Sequence, residues 1–273
     1  MDDTLLAEFR QWFAGYCRTF YTDSDENNRN IRLKEEHTQE VCTFMGLLAD
    51  SLALPPADRN LAQAVALFHD VGRFEQYRRY RTFKDSASIN HASLGARVLA
   101  GEKVLAALDA GERRLIAGSV ALHNVFRIPD GLDDRRLLFL RLIRDADKLD
   151  IWRVFIDFYG QTEGERASAV SLGFPDLPEC TPAVIDCLSR GEMVNLAALR
   201  TLNDFKLLQL SWVFDLNFPA SWRLVRERRY VERVAATLPD DPGVARGVAC
   251  VRDFLEEKGG GAGEVRRPTA VPA

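Results

Sequence analysis

The chain is expected to be all-α, a helical bundle with additional helices at its C-terminal end. Three observations predict this. Apolar residues recur at intervals of three and four in one segment after another, the period of a buried helix stripe. No run alternates apolar with polar residues as a half-buried strand would, and no internal repeat is present. Apolar types make up 47% of the 273 residues, enough to fill a sizeable core.

Taken in order, Leu5, Phe9, Phe13, Tyr16 and Phe20 mark the first stripe, and the polar run "TDSDENNRN" breaks it. A second stripe, His37, Val41, Met45, Leu48 and Leu52, ends at "LPPADRN", whose prolines stop one helix and start the next. The third helix, 58–70, delivers the adjacent pair His69 and Asp70 at its C-terminal end, with Gly72 giving the backbone freedom to turn. The following "RFEQYRRYRTFKDSASIN" mixes aromatics with Arg73, Arg78, Arg79, Arg81 and Lys84 in no clear period and reads as a long functional loop. "NHASLGARVL" begins a helix carrying His91, Leu94 and Val98 on one side, and "RRLIAGSVALHN" sets Ile116, Val120 and His123 in phase on the next. After the loop "NVFRIPDGLDD", a helix over 134–158 aligns Leu140, Ile143, Asp147, Ile151 and Val154. Asp145 lies nearly opposite on a face that is also apolar, so periodicity does not choose between the two aspartates.

Residues 160–182 carry the Gly, Pro and Ser of a loop or boundary, and two or three further helices run to about residue 257. The expected division is a helical core over 1–160, a C-terminal helical extension over 161–258 packing on it, and a Gly- and Pro-rich disordered tail over 259–273.

With 36 basic against 40 acidic residues and a net charge of −4, there is no overall bias toward nucleic acid or membrane. Five cysteines without a CxxC pair suit reduced thiols rather than a disulfide framework. The start "MDDTLLAEFRQWF" lacks a basic leader, and no apolar stretch approaches the roughly 20 residues of a membrane helix. A soluble, cytoplasmic protein is expected.

The chain has four histidines, His37, His69, His91 and His123, and each falls at an inward or terminal position of a different predicted helix. A lone histidine on an apolar face is usually a hydrogen-bonded core residue. Four in the same environment, with carboxylates beside two of them, instead make the arrangement a metal site needs, since imidazole and carboxylate are the ligands that Fe, Mn, Ni or Zn take from a bundle core. Adjacent side chains such as His69 and Asp70 diverge by about 100° on a helix, so one can bind a metal while the other reaches toward a second.

These residues resemble the HD-domain superfamily of metal-dependent phosphohydrolases over roughly residues 33–155. The H…HD…D pattern is carried by His37, His69 with Asp70, and Asp147 in "RDADKLD"; "FHDVGRF" resembles the HD-[IV]-G run, and "NHASLGARVL" a segment of binuclear members such as the HD-GYP branch. The resemblance implies that His37, His69, Asp70 and Asp147 hold one metal, and that Asp70 bridges to a second held by His91 and His123. It prefers Asp147, in "ADKL", with Asp145 as substitute. No GYP motif follows the His-Asp pair, which argues against a cyclic-di-GMP phosphodiesterase.

The cofactors implied are divalent ions, two of them, drawn from Mn, Fe, Ni, Co, Mg or Zn with Mn or Fe favoured. The expected reaction is metal-activated water attack on a phosphoester, a nucleotide or related small molecule, with a homodimer as an option for assembly. Beside Asp70, Arg73 and Lys148 are the nearest cations for the substrate's oxygens; Arg73 could instead pair with Glu75 or Glu36. Arg78, Arg79, Arg81 and Lys84 are either a solvated face or the rim of an anion pocket. Two other readings compete. The ligand set also resembles that of the HD-fold mixed-valent di-iron oxygenases, although the 24-residue interval from His123 to Asp147 is more like the phosphohydrolases. The third is a non-catalytic nucleotide sensor that keeps its metal.

Overall fold

Asp2, Ser24, Asn90 and Asp109 each turn a side-chain oxygen onto the free amides of a helix start, satisfying donors that the first turn leaves unpaired. The helices they open are α1 (Asp3–Arg18), α2 (Asp25–Ser51), α5 (His91–Gly101) and α6 (Ala110–Leu122). Between them lie α3 (Pro56–Phe68), which begins on a proline at its first position, and α4 (Val71–Tyr80). The long α7 (Asp134–Gly160) closes this part of the chain. The computed structural model describes residues 1–160 and 173–260, and no strand occurs among the described residues. The molecule is all-α, as expected.

Helix α2 packs against α3 and α7, α4 against α5, and α5 and α7 against α6. Phe44, Met45, Leu48, Phe68, Ile116, Ile143 and Trp152 are buried where they meet. The bundle thereby brings the middle of α2, the α3–α4 junction, the start of α5, the end of α6 and the middle of α7 to one place.

Two expectations from the sequence need correction. Residues 73–80, the first part of the expected loop, are not loop but belong to helix α4. Val71, Phe74 and Tyr77, three residues apart, are buried on one face, and Arg78 and Arg79 turn outward to pair with Glu75. The aromatic and basic residues hid that period, and the helix stops at Arg81, which adopts a left-handed φ of 55°. Gly72 accordingly does not loosen a turn. It lies inside α4, where a Cβ would stand 2.2 Å from the His91 carbonyl oxygen and 2.5 Å from the Gly95 nitrogen; the missing side chain lets α4 and α5 touch.

The second correction concerns the C-terminal part, where five α-helices among the described residues replace two or three. They are α8 (Pro182–Ser189), α9 (Leu202–Ser211), α10 (Pro219–Glu227), α11 (Tyr230–Ala235) and α12 (Pro242–Gly260). Prolines at 182, 219 and 242 start three of them, Thr201 and Asp204 form a capping box on α9, and left-handed Arg229 precedes α11. The apolar segment "LLQLSWVFDLNF", residues 207–218, is cut by a 3-10 turn over Trp212–Asp215, and Pro219 starts the next helix directly after it. Helices α10 and α11 pack on α7, and α10 also on α2. Helix α12 reaches Gly260, two residues into the expected tail; residues 261–273, and 161–172 of the expected boundary, lie outside the described residues.

Candidate metal centre

Each histidine enters from its own element: His37 from α2, His69 from the α3–α4 junction, His91 from the first position of α5 and His123 from the residue capping α6. All four are buried, as is Asp70. Asp70 is the residue before α4, yet its side chain makes no capping bond. Its carboxylate points into the cluster instead. The divergence of His69 from Asp70 comes from this break between helices and not from a continuous helical turn.

His37 Nε2 and His69 Nε2 lie 3.3 Å apart, and His91 Nε2 and His123 Nε2 3.0 Å apart. Asp70 stands between the pairs. Its Oδ2 is 3.6 Å from His37 Nε2 and 3.8 Å from His69 Nε2, while Oδ1 is 3.4 Å from His91 Nε2 and 3.7 Å from His123 Nε2. From α7, Asp147 Oδ1 approaches His37 Nε2 at 3.1 Å and His69 Nε2 at 3.7 Å. The ligating atoms of His37, His69 and Asp70, and those of Asp70, His91 and His123, fall within 4.8 Å of one another in each trio.

The Nδ1 atoms all face outward onto acceptors. His69 Nδ1 donates to the Ala66 carbonyl at 2.7 Å and His123 Nδ1 to the Val120 carbonyl at 2.8 Å. His37 Nδ1 meets Asp150 Oδ2 at 2.6 Å, and His91 Nδ1 meets Asp85 Oδ2 at 2.7 Å. A neutral imidazole that donates from Nδ1 has only a lone pair at Nε2. Lone pairs facing each other across 3.0 and 3.3 Å, beside carboxylates, call for positive charge in the gap. Carboxylate and carbonyl partners on the outer nitrogen are also how metal-binding histidines are oriented. The donor set therefore fits divalent metal.

Electrostatics agree. Burial would raise the Asp70 carboxyl, but Lys34, His69 and Arg73 hold it well below the usual carboxylate range. Burial acts likewise on Asp147, which bonds to His37 and His69 keep low. Burial with the neighbouring His91 and His69 drives His123 down to about 3, and burial with Arg73 lowers His91. Both shifts favour the neutral imidazole, the form that can ligate a metal. His37 differs: burial and Lys34 lower it, yet Asp147 and Asp150 lift it to about 9, so a metal there competes with a proton.

Asp145 does not join the cluster. It accepts hydrogen bonds from Asn217 N, Asn217 Nδ2, Phe218 N and Ser221 Oγ at 2.7 to 3.2 Å, which ties α10 to α7. Arg73 pairs with neither Glu75 nor Glu36. Its Nη1 bonds Asp85, Gln76 and the Phe83 carbonyl at 2.5 to 2.9 Å, and its Nε is 3.5 Å from Asp70 Oδ1. Lys148 Nζ sits 2.7 Å from Asp215 Oδ2, shared with Arg144 Nη2 at 2.7 Å.

Sequence reasoning passed over Lys34, whose Nζ is 2.8 Å from Asp70 Oδ2, and the orienting carboxylates Asp85 and Asp150. Lys34 and Asp150 were findable, being one helical turn from His37 and Asp147 on the same face. Asp85 carried no periodic signal.

A cavity of about 390 Å³ opens above the cluster, and Lys34, Arg73, Arg144 and Lys148 line it beside the cluster residues, as does Lys84, whose Nζ lies over the Phe174 ring. Of the basic run after the His-Asp pair, Lys84 lines this cavity; Arg78 and Arg79 are bound to Glu75, and Arg81 donates to Asn27.

Residues 35–152 match the family model described as HD domain. Neither a curated protein nor a solved structure matches the chain.

Proposed function

We propose, from the match of residues 35–152 to the HD domain, that the protein is a metal-dependent phosphohydrolase acting on a small phosphoester. One observation carries the reading: the two oxygens of Asp70 face two separate histidine pairs, as a carboxylate bridging two ions would. His37, His69, Asp70 and Asp147 would hold one ion, and Asp70, His91 and His123 the other. Bound there, divalent ions supply an activated water and a Lewis acid for a phosphoryl oxygen.

The chain's own residues do the rest. Asp85 and Asp150 fix the rings of His91 and His37 so that each Nε2 faces inward. Lys148 and Arg73 lie on the cavity wall and offer positive charge to non-bridging oxygens, where charge accumulates as the water oxygen bonds to phosphorus and the ester P–O bond breaks. Asp215 and Asp85 hold these two cations in place. The leaving oxygen takes a proton and departs as an alcohol, and the other product is phosphate or its monoester.

The test is a screen of Mn²⁺, Fe²⁺, Co²⁺, Ni²⁺ and Mg²⁺ against a phosphoester panel. Metal-dependent release of an alcohol is expected. No hydrolysis with any metal, together with O₂-dependent turnover and a mixed-valent paramagnetic signal in the iron-loaded protein, would overturn the reading in favour of an oxygenase.

A further inference from the structure

Beyond its charged end the cavity changes character. On α7 the stripe that carries Asp147 continues one and two turns on as Ile151 and Phe155, both lining the cavity. Opposite them the C-terminal part of the chain contributes Val194, Leu196, Leu208 and Trp212. The uncharged polar side chains of the wall are few, Ser86, Asn124 and Asn195, and two of them are partly engaged by the protein: Asn124 Nδ2 donates to Asp85 at 3.2 Å, and Asn195 Oδ1 accepts from Ala197 N at 2.9 Å. At the mouth, Leu196 and Phe126 are 52% and 41% exposed, although large apolar side chains usually withdraw from water.

A pocket with charged groups at one end and hydrocarbon elsewhere orients a ligand with one anionic group and an apolar remainder. A sugar or nucleobase pressed against Ile151, Phe155, Val194 and Leu208 would bury hydroxyls and ring nitrogens without partners, which is costly. We propose that the organic group of the phosphoester is an apolar hydrocarbon chain or ring, held between the α7 stripe and the 194–212 wall with its phosphate toward Asp70. This narrows the substrate class and rests on the phosphohydrolase reading for the reaction, though not for the binding. The C-terminal part of the chain then builds the half of the pocket that selects the substrate.

Methyl-, butyl- and octylphosphonate, titrated anaerobically into the Mn²⁺-loaded full chain by calorimetry, test the proposal without requiring turnover. The Kd is expected to fall about threefold for each added methylene until the cavity is filled, and octylphosphonate is expected to bind more tightly than adenosine 5′-monophosphate. Leu196→Ser, at an exposed position that leaves the fold intact, should shrink the octyl-to-methyl affinity ratio by about threefold; Phe126→Ser is the second variant. Affinity that is flat with chain length, or tighter binding of the nucleotide, would overturn it. Chain-length dependence without hydrolysis of any alkyl phosphate would leave this assignment standing and sink the phosphohydrolase; hydrolysis with flat affinities would do the reverse.

Discussion

Asp70 is the side chain with the most demands on it, touching both histidine pairs and Lys34. Asp70→Ala is expected to lose bound metal and all hydrolysis together. Lys148→Ala should keep its metal, because no ligand is removed, while kcat drops by about 10²- to 10³-fold, the usual effect of deleting a preorganised contact to developing charge. Metal analysis beside initial rates separates the two. Arg73→Ala takes from Asp85 its buried cation and leaves Asp70 with Lys34 alone, and should lower stability by about 2–4 kcal/mol as well as rate; unchanged melting would show that its ion pairs are idle. The histidines were legible because there are only four and each is in phase with an apolar stripe. Arg73's partners were not, since Asp85 lies twelve residues on, brought back only by the turn after α4. Periodicity could not separate Asp145 from Asp147 because both sides of α7 are buried, one under the bundle and one under α10.

Helix α4 shows where pattern reading fails at a larger scale. Its buried positions follow a helical period, but the signal was diluted by Arg78, Arg79 and Tyr80 on its open side. The expected bounds of α3 and α7 fall within about two residues of the observed ones, whereas α2 starts at Asp25, inside the polar run expected as a break and well before the first residue of its stripe, His37. Close backbone approach was illegible, since a glycine that permits contact looks like one that permits a turn. Gly72→Ala would drive a methyl into the His91 carbonyl and Gly95 and should cost about 3 kcal/mol or more by overpacking, read as a fall in denaturation midpoint. Because α5 begins with His91, the same change should weaken metal retention. A variant with normal stability would mean that α4 and α5 can separate freely.

The C-terminal helices are joined to the bundle by polar links as well as by apolar packing. Asp145→Ala would strand four donors on Asn217, Phe218 and Ser221 and should destabilise the chain by about 3 kcal/mol. Asp215 gives a second link and a pH signature. Burial opposes its charge, but Lys148 and Arg144 hold its carboxyl below the ordinary range. Its contribution is therefore complete above the unfolded value of about 4 and fades as pH falls through the depressed folded value. Asp215→Asn should lower the melting temperature most at neutral pH, with the gap to wild type closing in acid; a gap that widens in acid would reverse the assigned sign. How this part folds was the least legible, because its short helices are set by tertiary contacts more than by their own periods. What the whole assembly achieves is to gather four histidines and two aspartates from five places in the chain into one buried cluster. Native mass spectrometry after reconstitution with excess Mn²⁺ or Fe²⁺ tests that most directly: two ions per chain are predicted in the wild type, and a single ion under the same excess would contradict a bridging Asp70.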